Sequence, residues 1–124
     1  MNKAEAFRLN KPVQCLLWKK DGLKPGDLYA AFDVIETFVD QNHLSRRLVK
    51  CKECGQLYFD EFYEEVDWIG GNDPQYVTLI PVAARKDIDK LKNSSIFELT
   101  QFTPRLQKDY PKDADKPRIY WVGK

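Results

Sequence analysis

The strongest constraint on this chain is a pair of apolar, aromatic-rich runs separated by a single turn. Residues 56–69 (QLYFDEFYEEVDWI) and 75–82 (QYVTLIPV) flank Gly70-Gly71-Asn72-Asp73-Pro74. Taken alone, the first run fits either period. Phe59, Phe62, Tyr63 and Val66 sit at helical spacing, whereas Tyr58, Phe62, Val66 and Trp68 alternate as in a strand. The aromatic and β-branched content, the Gly-Gly turn and the composition of the second run favour two strands paired back across the turn. Pro81 has no N–H to give a ladder, so it marks a strand end or an edge. Residues 56–82 are therefore expected to form a hairpin, and residues 118–122 (RIYWV) a strand able to join its sheet.

Helices are expected to cover that sheet. Leu28, Ala31, Phe32, Ile35, Phe38 and Val39 share one face at helical spacing, which predicts a helix over residues 28–41 capped by Asp27. Ile88 and Leu91 mark a short helix after Ala84. Ser95 and Glu98 form a capping box that opens another, with Leu99, Phe102 and Leu106 on one face and Pro104 as its breaker. Residues 12–18 (PVQCLLW) form a short apolar run, either an extended segment or the entry to the core, residues 19–26 and 110–117 are loops, and residues 1–11 show no period. The fold expected over residues 1–124 is a single α+β domain: an antiparallel sheet, built from hairpin 56–82 and the C-terminal strand, under two or three helices.

At 124 residues and 16 aromatics the chain can bury a core without disulfides, and its composition opposes disorder. No apolar run approaches the roughly 18 residues of a membrane span, and residues 1–11 are too polar for a secretion signal. A cytoplasmic setting is the expectation. Three cysteines in such a compartment bind metal or pack rather than pair.

Cys51-x-x-Cys54-Gly55 is the chain's recognisable motif. Two thiolates three positions apart face one ion when the backbone turns between them. Glycine after the second cysteine then takes the angles of the turn at little cost. Residues 50–59 resemble one half of a zinc ribbon or treble clef, in degenerate form. That resemblance implies a structural zinc ion held by a knuckle that runs on into strands. Cys15 sits in the frame of a second CxxC whose last position is Trp18, and His43 is the chain's lone histidine. Cys15, His43, Cys51 and Cys54 together would complete a Cys₃His set. Each also has a plain packing role: Cys15 as a small buried hydrophobe, His43 as a residue at a helix C-terminus, Cys51 and Cys54 as free thiols in a turn. A thioredoxin-like role is disfavoured because the motif precedes a strand rather than opening a helix.

Charge separates along the chain. The net charge is +1, yet residues 53–84 contain no Lys or Arg and carry Glu53, Asp60, Glu61, Glu64, Glu65, Asp67 and Asp73. A stacking platform of Tyr58, Phe59, Phe62, Tyr63 and Trp68 for nucleic acid would repel phosphate at this charge. The acidic hairpin suits a basic protein partner, with Asp60, Glu61, Glu64, Glu65, Asp67, Trp68 and Asp73 as contacts. An immunity or antitoxin-like protein is one such case; a solvated acidic sheet face is the plainer account. The acids show no spacing that selects a catalytic pair or a hard cation site. Two other functions remain open: a nucleic-acid-associated zinc ribbon using Arg46, Arg47, Lys50 and Lys52, and a small enzyme pairing a cysteine with His43. No membrane role is expected.

Overall fold

In a computed structural model of the protein, described for residues 10–66, 68–71 and 73–124, six strands form one antiparallel sheet in chain order. The strands are β1 (Phe32–Gln41), β2 (Leu44–Cys51), β3 (Leu57–Glu64), β4 (Gln75–Val82), β5 (Arg105–Tyr110) and β6 (Arg118–Val122). Short helices precede and interrupt them: α1 (Leu16–Lys19), α2 (Pro25–Leu28), α3 (Arg85–Lys92) and α4 (Ile96–Leu99). The expected hairpin is β3–β4, with Phe59 opposite Ile80 and Tyr58 opposite Pro81. Pro81 lies beyond Leu79, the last β4 residue paired with β5, so its missing N–H leaves that ladder intact. The C-terminal strand joins as expected, pairing β5 from Asp109–Arg118 to Arg105–Val122.

The helix expected over residues 28–41 does not exist; most of that stretch is edge strand β1. Its register against β2 slips between Val34 and Glu36 and again between Thr37 and Val39. Each bulge adds a residue to one strand and reverses the in–out phase. Apolar residues consequently recur three to four apart, imitating a helical stripe, while Val34, Ile35, Thr37 and Val39 supply the β-branched content of a strand. Asp27 lies inside α2, where its carboxylate accepts from the Lys24 N–H at 2.8 Å and from Lys20 Nζ at 2.6 Å. The run at residues 12–18 enters the core through Pro12, Cys15 and Leu17, but turns into α1 after Cys15 rather than staying extended.

Downstream, Asp87 accepts the N–H groups of Ala83 and Ala84 to start α3. The Ser95–Glu98 capping box forms as read: Ser95 Oγ accepts from the Glu98 N–H at 3.1 Å, and Glu98 Oε1 from the Ser95 N–H at 2.9 Å. That helix stops at Leu99, and Leu106 belongs to β5 on the other side of the sheet.

The central strands are buried on both faces, which yields two cores. Leu48, Phe59, Ile80 and Val82 meet Ile88, Leu91, Leu99 and Phe102 under α3 and α4. On the opposite face Val49, Cys51, Tyr58, Leu79 and Leu106 meet Cys15 and Leu17 of the N-terminal segment. Trp121 Nε1 donates to the Leu17 carbonyl at 2.8 Å, and the Trp18 and Trp121 rings meet edge-on at 4.8 Å, tying that segment to β6. No described helix is long and apolar enough to cross a membrane.

Each face also contains a cross-strand ion pair between β2 and β3. Arg46 is paired directly with Glu61, and Arg47 with Asp60. Arg46 and Glu61 are nearly inaccessible, with Nε and Nη2 each 2.7 Å from Glu61 Oε2. Removing one member strands a buried charge, whereas removing both for apolar side chains does not. Glu61→Ala should therefore lower unfolding stability by about 3 kcal/mol, and the Arg46→Met/Glu61→Leu double variant should recover most of it. Urea unfolding of the three proteins measures both outcomes.

Candidate metal centre

The motif Cys51-Lys52-Glu53-Cys54-Gly55 is the turn that joins β2 to β3. The Cys51 N–H donates to the Gln56 carbonyl at 2.8 Å, and the Gly55 N–H donates to the Cys51 carbonyl at 2.8 Å. Gly55 has φ of 80°, the left-handed conformation expected of the residue after the second cysteine. Cys51 ends β2 with its side chain on the N-terminal-segment face. Cys15, just before α1, comes in from above: its carbonyl accepts the Trp18 and Lys19 N–H groups, and its residue is wholly buried.

The three sulfurs converge. Cys15 Sγ and Cys51 Sγ are 4.0 Å apart, and all three lie within 4.8 Å of one another. A disulfide needs about 2.05 Å, and all three are free thiols. Sulfurs around a tetrahedral zinc at about 2.3 Å stand about 3.8 Å apart, so an ion fits after shifts below about 1 Å. Cys15 and Cys51 are buried and Cys54 is half-buried.

Burial pushes the Cys54 thiol up to about 12, with the neighbouring Cys15 and Cys51 adding to the rise; the Gln56 backbone N–H, bonded to its sulfur, pulls the other way. Thiolates this close repel one another, so without a cation Cys54 keeps its proton at neutral pH. Tyr58 adds a second sign of an unmet partner. Its side chain is fully buried, and its hydroxyl has no hydrogen-bond partner among the described residues. Burial, then the adjacent Cys15, drive its pKa well above the usual tyrosine value. A buried hydroxyl left unpaired costs about 1–3 kcal/mol. A metal-bound thiolate at Cys15 is an acceptor that would satisfy it, so the residues present fit a thiophilic cation.

His43 does not belong to this centre. It sits in the β1–β2 turn, with Nδ1 2.9 Å from Glu64 Oε1, and the length of β2 separates it from Cys51. Eight extended residues span about 26 Å, so no rotamer brings the imidazole to the sulfurs. The expected Cys₃His set is corrected to three cysteines, and the cysteine–histidine enzyme loses its geometry with it. Sequence separation alone made His43 look close; Tyr58, which sequence reasoning assigned to the core or to stacking, faces the site.

The acidic set divides as well. Asp60 and Glu61, expected to contact a partner, are buried and paired with Arg47 and Arg46 because both central strands are covered on two faces. Glu64 is held below the usual carboxylate range by hydrogen bonds from Gln75, then His43. Glu65 is exposed and Asp73 half-buried at the β3–β4 turn, where Trp68 is 89% exposed and Ile69 fully so. Asp67 lies outside the described residues. No family model, curated protein or solved structure matches this chain.

The raised Cys54 thiol makes a direct prediction. In metal-free protein at pH 7.5, iodoacetamide should alkylate Cys54 roughly 100-fold more slowly than an ordinary exposed cysteine, its scarce thiolate being partly offset by higher nucleophilicity. Mass-resolved rates at each cysteine test this; alkylation at the ordinary rate contradicts the cluster's electrostatics.

Proposed function

We propose that this chain is a zinc-binding protein with a structural ion held by Cys15, Cys51 and Cys54, and that its role is to bind a protein partner rather than to catalyse. The observation that carries the metal reading is the convergence of three sulfurs beside the unpaired, buried Tyr58 hydroxyl. Zinc would join the N-terminal segment to the β2–β3 turn, two parts of the chain 36 residues apart between Cys15 and Cys51. Three thiolates would supply three of the four positions of a tetrahedral zinc.

Metal analysis of protein purified without a tag should give about one zinc per chain. Cobalt in its place should show sulfur-to-cobalt charge transfer and tetrahedral visible bands. Cys54→Ser should weaken binding sharply, while His43→Ala leaves it unchanged. Calorimetry in buffers of different ionisation enthalpy should register release of about three protons per ion, with affinity falling as pH is lowered. Binding that survives loss of any one cysteine overturns the site.

For the partner, the supporting observation is the hairpin tip. Trp68 and Ile69 project with Glu65 and Asp73 beside them, an apolar knob with an acidic flank that suits a basic, grooved protein surface. The immunity-like reading survives in this narrower form. The nucleic-acid reading is weakened, since Arg46 and Arg47 are engaged by Glu61 and Asp60, and Lys52 Nζ lies 3.8 Å from Asp33. Trp68→Ala should change unfolding stability by less than about 0.5 kcal/mol, against about 3–5 for a core tryptophan. Chemical denaturation separates the two values and shows whether this ring is free for a partner.

A further inference from the structure

The described part of the N-terminal segment covers only part of its sheet face. Beyond it lies a trough of about 510 Å³, within the range of small-molecule sites. Leu28, Phe32, Val34, Phe62, Val77 and Leu79 supply its apolar lining. These side chains lie over the sheet with Val34 half exposed and Phe62 and Val77 only partly covered. Ala30, with φ of 54°, turns the chain at the rim, a conformation that non-glycine residues seldom adopt.

Three charged residues share this apolar trough. Arg47 Nε and Nη2 both donate to Asp60 Oδ2, at 3.1 and 2.8 Å, while Nη1 has no partner among the described residues. The Arg47 side chain is 41% exposed although its carboxylate partner is buried. Lys108 also lines the trough; its ammonium lies over the Tyr29 ring at 6.0 Å, and no described carboxylate pairs with it. The balance is one positive charge in excess, on walls that water hydrates poorly. Asp60 is thus neutralised from a guanidinium that still reaches solvent.

We propose that this trough binds an amphipathic organic carboxylate, with its apolar body over Phe62 and Val77 and its anionic head at Lys108 or the free edge of Arg47. Burial of the half-exposed apolar side chains supplies affinity, and the unmatched positive charge selects anionic over neutral ligands. The site is independent of the metal reading, because none of the three cysteines lines it.

Titration calorimetry with decanoate and with decanol tests the proposal on the whole chain. Wild-type protein should bind decanoate roughly tenfold more tightly than decanol. Lys108→Met should reduce that preference without changing decanol binding. Val77→Trp, which fills the trough, should abolish binding of both ligands; circular dichroism confirms that each variant is folded. Failure of wild-type protein to bind either ligand, equal affinity for the two, or full binding by folded Val77→Trp overturns the proposal.

Discussion

The β2–β3 register underlies most of what this protein presents. It is set at one end by the five-residue knuckle turn, where Cys51 and Gln56 close the hairpin and Gly55 takes the left-handed angle. From there Val49 meets Tyr58, Leu48 meets Phe59, Arg47 meets Asp60 and Arg46 meets Glu61. Side chains alternate between faces with a period of two, so a slip of one residue would send every one of them to the wrong side. Both ion pairs would break and Cys51 would leave the sulfur cluster. The ion pairs thus act as register marks: each is tolerable only when directly matched across the strands.

One face of the sheet collects two chemically different sites from this arrangement. At the turn end, sulfurs gather beneath the N-terminal segment; farther along, the same face opens into the trough with Arg47 and Asp60. Phe32 touches both, meeting the Tyr58 ring edge-on at 5.6 Å and lining the trough. On the other face α3 and α4 pack over the strands around Phe59, Leu91 and Phe102. The placement of cover, more than the strands themselves, divides structure from candidate function.

Several elements were legible from local pattern because local chemistry decides them. The β3–β4 hairpin follows from aromatic and β-branched runs around a Gly-Gly turn, and the Ser95–Glu98 box from two residues that satisfy each other's backbone. The region 28–41 misled because two bulges changed the phase of its apolar residues, and a bulge depends on the partner strand. His43 misled because eight residues measure a short separation in a helix or turn but a long one in a strand. The acidic segment looked like one surface, yet Asp60 and Glu61 face cations from β2 that sequence gave no means of pairing with them.

The sequence by itself determined the knuckle turn, its glycine, the hairpin and the Ser95–Glu98 cap, since each rests on contacts within a few residues. Tertiary structure alone decided that Cys15 meets Cys51 and Cys54 while His43 does not. It also decided which acids are buried and where the described residues leave a trough over the sheet. Those outcomes depend on strand register and on the path of the N-terminal segment. Both emerge only when distant parts of the chain compete to cover the same apolar surface.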